Sequence, residues 1–320
     1  MILPAKLQKK CHLCKLFVHF IYFLYLCTQN TYLSTVNCKL KTALIGIFDS
    51  GYGGLTILNH IRQQLPEYDY LYLGDNARAP YGTRSFEVIY EYTLQAVNYL
   101  HQQGCNLIIL ACNTASAKAL RTIQQRNINP NKLRVLGVIR PTVEVIPQRT
   151  RTKHIGVLAT PGTVASESYV IELLKQDPTL TITQQACPMW VPLIESGEHL
   201  DDGANYFVEK YLTTLLNRDP LIDTLILGCT HYPLLLPKIE EFLSARSASQ
   251  SLITKHPISV ISQGSIVAHS FADYLQRHPE FSQDSKNGTC TYLTTESATK
   301  FADSASLFLS EPITAHHIEL

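Results

Sequence analysis

The sequence predicts an α/β fold made of two similar doubly wound parallel-sheet domains, related by pseudo-two-fold symmetry, with a ligand site between them. Apolar runs of strand length alternate with helical patterns along most of the chain, as in βαβ units. A glycine-rich turn, Gly51-Tyr52-Gly53-Gly54, follows the first of these runs and precedes a helical pattern. Two further apolar runs, at 107–111 and 225–227, are followed closely by a cysteine. These cysteines would lie at the carboxyl ends of strands, where open parallel sheets bind ligands.

Length and composition are typical of a globular chain. Its 320 residues are enough for about two domains. Hydrophobic residues make up 45% and charged residues 17%, which fits buried sheets. The net charge of +1 gives no global field that would recruit nucleic acid. The first 48 residues hold six lysines and no acidic residue, so the remainder is mildly acidic.

The cysteine pattern indicates a reducing, cytosolic setting. Nine cysteines are an odd number, and in a chain this long they do not predict a disulfide framework. Cys11-x-x-Cys14 is a weak metal or redox signal, because zinc would need a second close pair and Cys27 and Cys38 are well separated. We therefore expect no metal site.

Residues 1–42 differ from the rest and are predicted to be an N-terminal extension. Lysines precede the apolar run 16–26, which resembles the charged and apolar regions of a secretory signal. The run is shorter than the roughly 20 residues of a membrane span, and no small-x-small cleavage site follows. An extension without function, a start codon set too far upstream and a targeting signal all remain open. For the rest of the chain we expect no membrane partner.

The first α/β domain is predicted over residues 43–139 and 250–320. Its strands are expected at 43–48, 70–73, 107–111 and 135–139, with Pro141 ending the last of these. Ser85 is expected to cap one helix, and another helix is expected over 115–125. Late strands at 259–261 and 292–295 are expected to return to this domain.

The second domain is predicted over residues 140–249 as a copy of the first. The run 155–160 resembles 45–50, and the second cysteine-bearing run follows the first at nearly the same offset. Two similarities at one offset indicate a duplicated α/β unit. Chance similarity between short buried strands is the alternative.

The glycine-rich turn does not match a nucleotide site. It lacks the G-x-G-x-x-G spacing, no acidic residue follows at the distance needed for a ribose, and no Walker pattern occurs. A glycine loop before a helix still presents free N–H groups, which suit a carboxylate as well as a phosphate. A tight turn without a ligand is the alternative.

The two cysteines lie in matching surroundings. Cys112 is followed by Asn113-Thr114 and a predicted helix, and Cys229 is followed by Thr230-His231 and a helix. A thiol near a helix N-terminus has its pKa lowered from about 8.5, and neighbouring N–H, Asn and Thr groups could hold a carboxylate. One such cysteine alone is typical of a small buried hydrophobic residue. Two in matching positions indicate a function.

Two opposed thiols suit inversion of a carbon centre. Such a reaction needs a base on one face and an acid on the other, and the two exchange roles in the reverse direction. No carbonyl cofactor is then required. Asp49 and His231 are candidates to orient or activate the thiols, as bases do beside nucleophiles. A turn residue and a structural histidine are the alternatives for these two.

Four motifs together resemble glutamate racemase, of the cofactor-independent aspartate/glutamate racemase family. The resemblance runs from about residue 43 to the C-terminus in the order of the family's motifs. It implies interconversion of L- and D-glutamate without pyridoxal phosphate, metal or nucleotide, and supply of D-glutamate for peptidoglycan in the cytoplasm. It also implies a homodimer. The motifs are Phe48-Asp49-Ser50-Gly51-x-Gly53-Gly54, Pro80-Tyr81-Gly82, Ala111-Cys112-Asn113-Thr114-Ala115 and Gly228-Cys229-Thr230-His231-Tyr232-Pro233.

The resemblance also assigns roles to residues. Cys112 matches the thiol that removes the proton from D-glutamate and Cys229 the thiol that acts on L-glutamate, with Asp49 and His231 as their polar assistants. Glu195 resembles a further acidic assistant. Arg140 stands where relatives often carry Glu or Lys before a proline, a position expected to affect subunit contacts or a loop. The positions that match substrate contacts are Asp49, Ser50, Tyr81, Gly82, Asn113, Thr114, Thr230 and His231.

Three alternatives to glutamate racemisation remain at this point. A racemase for aspartate or another small amino acid would differ only in the volume of its pocket. A cysteine hydrolase would use Cys229 and His231 as a nucleophile–base pair and would not need Cys112. A non-catalytic binding protein with the same fold would need neither thiol.

Overall fold

Two parallel sheets surrounded by helices make up the described part of the chain, as the predicted fold class requires. The computed structural model describes residues 44–248, 257–281, 288–309 and 311–320. Residues 43–320 form one compact unit. The expectations for residues 1–42, including Cys11 and Cys14, lie outside the described residues.

Every strand pair in the two sheets is parallel. The strands are β1 (Ile45–Asp49), β2 (Tyr70–Gly74), β3 (Leu107–Leu110), β4 (Arg134–Gly137), β5 (His154–Ala159), β6 (Thr181–Ala186), β7 (Thr224–Gly228), β8 (Ser259–Ile261), β9 (Cys290–Thr294) and β10 (Ala315–His317). One sheet has the order β10-β9-β2-β1-β3-β4 and the other the order β6-β5-β7-β8.

The two sheets repeat one strand order. The series β2-β1-β3-β4 in the first sheet corresponds to β6-β5-β7-β8 in the second, and the first sheet continues into β9 and β10. The repeated order is what a duplicated unit would give, and it places β3 and β7, which precede the two cysteines, in equivalent positions.

One prediction about the domain division was wrong. The strand Ser259–Ile261 was expected to return to the first domain, but it pairs with β7, with Ile226 opposite Ile261. A short strand adds to the sheet edge that its connecting segment reaches. Here β8 takes the position in the second sheet that β4 has in the first. Strand β9 does return to the first sheet, beside β2.

Helices connect successive strands, because parallel neighbours need a crossover. They are α1 (Gly54–Gln64), α2 (Phe86–Gln102), α3 (Asn113–Lys118), α4 (Leu120–Arg126), α5 (Ile139–Glu144), α6 (Pro161–Ala165), α7 (Ser168–Gln176), α8 (Trp190–Glu195), α9 (Asp202–Arg218), α10 (Leu236–Ala248), α11 (Gly264–Arg277) and α12 (Ala298–Ala305). No described helix is long and apolar enough to cross a bilayer.

Both faces of the central strands are buried. In β1, Ile45 and Ile47 point into one hydrophobic cluster and Phe48 points into another, since side chains alternate along a strand. In β5, Leu158 and its neighbour Val157 are likewise divided between two clusters. Helices therefore cover the sheets on both sides, which leaves the strand ends as the accessible edges.

Three local predictions can be compared with the structure. Ser85 caps α2 as predicted, since its Oγ accepts a hydrogen bond from the Val88 N–H at 3.4 Å. The helix expected over 115–125 is divided at Ala119 into α3 and α4. The strand expected over 135–139 ends at Gly137, and Pro141 lies in the first turn of α5, where a proline costs no helical hydrogen bond.

Candidate active site

The carboxyl edges of the two sheets face each other. Gly82, in the loop after β2, accepts a hydrogen bond through its carbonyl oxygen from the Gly162 N–H at 2.7 Å. The hydroxyl of Thr114, after β3, lies 3.0 Å from the hydroxyl of Thr160, after β5. These contacts bring the ends of β1 and β3 opposite the ends of β5 and β7.

The glycine-rich turn fits closely against the second cysteine loop. A Cβ atom at Gly53 would overlap with the ring of His231 and the hydroxyl of Thr230. Thr56 in α1 donates a hydrogen bond to the Thr230 carbonyl oxygen at 3.0 Å. The turn therefore packs between the two sheets. Position 53 suits a glycine, because a larger residue would clash with Thr230 and His231.

Cys112 is a buried thiol held from two sides. Its Sγ donates to the Ser50 hydroxyl at 3.4 Å and accepts from the Ala115 N–H at 3.4 Å. Burial, followed by the nearby charge of Asp49, raises the pKa of Cys112 to about 12. The expectation that a helix N-terminus would lower the pKa of this thiol was wrong, because burial outweighs the two hydrogen bonds that favour the thiolate.

Cys229 belongs to the same site as Cys112. It lies one residue beyond the end of β7 and is also buried. Charge on Cys229 raises the pKa of Cys112, so the two thiols are close enough to interact electrostatically.

Asp49 closes β1 with a buried carboxylate. Its Oδ2 accepts a hydrogen bond from the Gly51 N–H at 3.0 Å, whereas its Oδ1 has no hydrogen-bond partner among the described residues. Burial raises the pKa of Asp49, although the nearby charge of His231 acts in the opposite direction. A buried oxygen without a donor suits a ligand that brings an N–H group.

His231 connects Cys229 to a second carboxylate. Its Nδ1 lies 3.8 Å from the Cys229 Sγ, and its Nε2 lies 2.9 Å from the Oε1 of Glu195, which is the last residue of α8. Burial alone would lower the pKa of His231, but the hydrogen bonds to Cys229 and Glu195 raise it to about 10. The imidazole thus holds a proton between the sulfur and the carboxylate near neutral pH. Glu195, which the resemblance offers as a further acidic assistant, is thus in contact with His231.

Tyr81 and Gly82 form part of the interface between the sheets. Tyr81 is buried, and its hydroxyl donates to the Asp75 carboxylate, which also accepts from the Arg78 Nε at 2.7 Å. Burial and the Asp75 charge raise the pKa of Tyr81, so the phenol stays neutral. The Tyr81 hydroxyl is therefore engaged within the protein, and the Gly82 carbonyl oxygen makes the contact with the second sheet.

The side chains of Asn113 and Thr114 already have partners. The Asn113 amide is bonded to Gln263 and Tyr169, and the Thr114 hydroxyl lies near those of Thr160 and Thr163. Sequence reasoning did not find Gln263, Tyr169 or Thr160. Thr160 follows β5 and Gln263 follows β8, so polar residues after those strand ends were the available signal.

Arg140 lies outside this cluster. It is exposed on α5, forms an ion pair with Glu144 at 3.0 Å and borders a cavity of about 870 Å³ that α7 and α11 also line. Within the described ranges, no group of three or more His, Cys, Asp or Glu side chains has metal-binding geometry.

Comparison of the sequence with protein families assigns the chain to one of them. A family model described as Asp/Glu/Hydantoin racemase matches residues 45–260, which is more than half of the chain. The chain belongs to the Asp/Glu/hydantoin racemase family. As a racemase it is an isomerase, and the matched residues include both thiols, Asp49 and His231.

Individual relatives of this racemase agree with the assignment. A glutamate racemase of Ruegeria sp. (strain TM1040) is 40% identical over 280 residues, which cover 84% of this chain and 98% of that protein. The crystal structure of the glutamate racemase isoform RacE1 from Bacillus anthracis matches with a TM-score of 0.76 at 33% identity and covers 88% of this chain and 98% of that one. A Francisella tularensis glutamate racemase solved with D-glutamate also has a TM-score of 0.76, at 29% identity, with coverage of 88% and 98%.

Proposed function

We propose that this racemase interconverts L- and D-glutamate by a two-base mechanism in which Cys112 and Cys229 act from opposite sides of the substrate Cα. The observation that carries the proposal is the pairing of two buried thiols at equivalent strand ends of two repeated sheets. The relatives named above, two of which are at least 33% identical, are glutamate racemases, which supports glutamate as the substrate.

The proposed reaction moves protons only. One thiolate takes the proton from Cα, and the electron pair of the broken C–H bond is delocalised into the substrate carboxylate. The opposite thiol then gives its proton to the other face of Cα, so the configuration inverts and the two sulfurs have exchanged protonation states. No electron acceptor is required, and the reverse reaction uses the same groups in exchanged roles. Cys229 is the base toward L-glutamate, and Cys112 is the base toward D-glutamate.

The surrounding polar groups suit the charges of an amino acid. The Asp49 Oδ1 atom is buried without a donor, so we propose that it accepts from the substrate ammonium. Ser50 and Thr230 lie on the two cysteine-bearing sides of the site and are proposed, with the backbone of Asn113-Thr114, to contact the carboxylates. His231, protonated near neutral pH, is proposed to assist Cys229.

The direct test is racemisation of each glutamate enantiomer in heavy water. We expect the newly formed enantiomer to carry solvent deuterium at Cα, because the thiol that delivers the proton has exchanged with solvent. Product that retains protium at Cα from the first turnover would contradict two separate bases. A panel of other amino acids, followed by circular dichroism, tests the preference for glutamate over aspartate.

The thiols are tested separately by Cys112→Ser and Cys229→Ser. Each should abolish racemisation and leave the fold unchanged, because a hydroxyl of similar size has a much higher pKa than a thiol. Cys105→Ser is the matched control, since Cys105 is a buried free cysteine away from the site. Racemisation that persists in either site variant would contradict the two-base mechanism.

The contact between Cys229 and His231 is the geometry that a cysteine hydrolase would also need. A hydrolase would accumulate an acyl intermediate on Cys229 and would keep its activity in Cys112→Ser. Mass spectrometry of the protein after incubation with ester or amide substrates separates the two functions.

The cellular role follows from the proposed reaction. Because its product is D-glutamate, the enzyme would supply this amino acid for peptidoglycan, in the cytoplasm and without a cofactor.

We further propose that the protein is a homodimer. Each chain would consist of an extension of residues 1–42, a first domain of 43–139 with the late strands β9 and β10, and a second domain between them.

A further inference from the structure

The amide of Asn113 is part of a closed ring of three hydrogen bonds. Its Nδ2 donates to the Gln263 Oε1 at 2.6 Å, the Gln263 Nε2 donates to the Tyr169 hydroxyl at 2.9 Å, and that hydroxyl donates to the Asn113 Oδ1 at 2.8 Å. Each side chain in the ring donates one of these hydrogen bonds and accepts another, and all three bonds run in the same sense around the ring. All three residues are buried.

The ring joins three parts of the fold. Asn113 begins α3 beside the first sheet, Tyr169 lies in α7 beside the second sheet, and Gln263 comes directly before α11. The second N–H of Gln263 reaches the Thr142 hydroxyl at 2.9 Å, in the helix that follows β4. Thr142 in turn donates to the Val138 carbonyl oxygen at 2.8 Å, so the Gln263 amide and the Thr142 hydroxyl are both paired within the protein.

Glutamine is the residue type that this position requires. The site offers one donor, the Asn113 amide, and three acceptors, the hydroxyls of Tyr169 and Thr142 and, at 3.4 Å, the Val138 carbonyl oxygen. A side-chain amide supplies one acceptor and two donors, whereas a carboxylate supplies no donor and an aliphatic side chain supplies neither. Burial raises the pKa of Tyr169, so its hydroxyl keeps the proton that it donates.

The ring is one residue away from a thiol of the active site. Cys112 directly precedes Asn113, and its Sγ accepts from the Ala115 N–H in the same first turn of α3. If Asn113 loses its partners, the turn that orients Cys112 loses its anchor, because a buried amide left unpaired turns toward other partners or water. Cys229 has no residue in the ring, but the aromatic ring of Tyr169 lies close to Gly228, and charge on Cys229 raises the pKa of Tyr169.

We propose that Gln263 is a positioning residue of the racemase, which acts through Asn113 to hold Cys112 against the substrate Cα. The inference rests on the proposed glutamate racemase function and extends it to a residue outside the recognised motifs. Tyr169 acts in the same unit. Loss of the Gln263 amide or of the Tyr169 hydroxyl should displace the first thiol. The second thiol should stay in place, because the aromatic ring of residue 169 remains close to Gly228 in both cases.

The test uses the full chain and two variants that break the ring at different bonds. Gln263→Met keeps the length of the side chain and removes its polar atoms, and Tyr169→Phe removes only the hydroxyl. Gln124→Met is the matched control, because Gln124 also donates through its amide, to the Val135 carbonyl oxygen at 2.7 Å, but lies away from the site. The readouts are kcat/KM for each enantiomer, the melting temperature and the alkylation rate of each cysteine by mass spectrometry.

We expect each ring variant to lose about tenfold or more in kcat/KM, since a displacement of about 1 Å costs up to about a hundredfold. The double variant should lose less than the product of the two single losses, because both break one unit. Alkylation of Cys112 should become faster, because the loosened turn admits the reagent, while alkylation of Cys229 and the control variant should match the wild type.

Two results would overturn the inference. One is that kcat/KM of Gln263→Met and of Tyr169→Phe equals that of Gln124→Met. The other is an equal rise in alkylation at both cysteines with a lowered melting temperature, which would show general loosening. If the wild-type protein fails to racemise glutamate, the proposed function fails, and the alkylation of Cys112 relative to Cys229 still decides whether Gln263 positions the first thiol.

Discussion

At the scale of single residues, Cys112 is buried beside a carboxylate, and both surroundings oppose its ionisation. The Ser50 hydroxyl and the Ala115 N–H favour the thiolate but do not compensate. The substrate-free protein therefore holds a protonated thiol on this side at neutral pH. On the other side, His231 holds a proton next to Cys229. The two halves of the site are alike in topology but differ in how each sulfur is assisted.

The reactivity of Cys112 should reflect its raised pKa. Its alkylation rate in the free protein should keep rising as the pH increases toward about 12, because each unit below the pKa leaves tenfold less thiolate. Asp49→Asn removes the second cause of the shift and should move the profile to lower pH. Peptide mapping after timed alkylation measures the rate, and a plateau below pH 9 in the wild type, roughly the pKa of a free thiol, would contradict the assignment.

Glu195 should keep His231 protonated. The pKa of His231 is raised in the folded protein from 6.5 to about 10, so its contribution to stability is complete below pH 6.5 and is lost as the pH rises through about 10. Glu195→Gln removes one of the two hydrogen-bond partners that raise the pKa, so this loss should begin at lower pH. Urea unfolding at a series of pH values measures it.

The matched control for that experiment is Glu144→Gln, which breaks an exposed ion pair with Arg140. An exposed pair contributes about 0–1 kcal/mol, so this variant should follow the wild-type pH profile. If Glu195→Gln also follows the wild-type profile, Glu195 does not support the charge on His231.

At the scale of elements, glycine decides how closely the turn after β1 approaches the second cysteine loop. Gly53→Ala would place a methyl group into the His231 ring and the Thr230 hydroxyl. Both side chains are buried, so they have little room to move. We expect kcat/KM to fall about a hundredfold, as for displacements of about 1 Å, while the fold persists.

Gly203→Ala is the control for this substitution. Nothing lies within 4 Å of the Cβ position at Gly203, which is in helix α9. Alanine there should leave both the fold and kcat/KM unchanged, because its methyl group meets no other atom. Activity of Gly53→Ala equal to that of Gly203→Ala would mean that the turn yields without displacing His231.

The elements that sequence reasoning found are those with an unbroken apolar run. Strand β3 lies within the predicted apolar run 107–111 and ends one residue earlier, and Leu107–Leu110 is buried on both faces. Strand β6 was missed because Thr181–Ala186 is polar and only half-buried at the edge of its sheet. The break at Ala119 was missed as well, since nothing in that stretch opposes a continuous helix. Pairing of β8 with β7 is a tertiary choice that a three-residue strand does not encode.

The candidate site was predictable to a similar degree. The residues that follow strand ends within motifs, such as Asp49, Cys112 and Cys229, were found from position and chemistry. The partners that complete their environment come from distant parts of the chain. Gln263 lies 150 positions from Asn113, and no local pattern connects two such residues. The raised pKa of Cys112 could not be predicted either, because burial depends on packing between the sheets.

At the scale of the whole molecule, the site draws on residues from 49 to 263, within the compact unit that begins at Ala43. A chain that begins at Lys41 should therefore keep kcat/KM within about twofold of the full chain, because it retains every described residue of the site. Side-by-side racemase assays of the two chains measure this. A loss of activity beyond about tenfold would give residues 1–40 a part in the enzyme, since small perturbations remote from the chemistry rarely cost that much.

The last strands of the chain also have a consequence for how the protein is made. Strands β9 and β10 extend the first sheet beside β2, and Thr295 donates to the Asp75 carboxylate that receives the Tyr81 hydroxyl. During synthesis β2 is therefore an open sheet edge until β9, which follows it only after β3 to β8, has been made, and such edges promote aggregation. A chain truncated before β9 should keep this edge exposed and lose solubility.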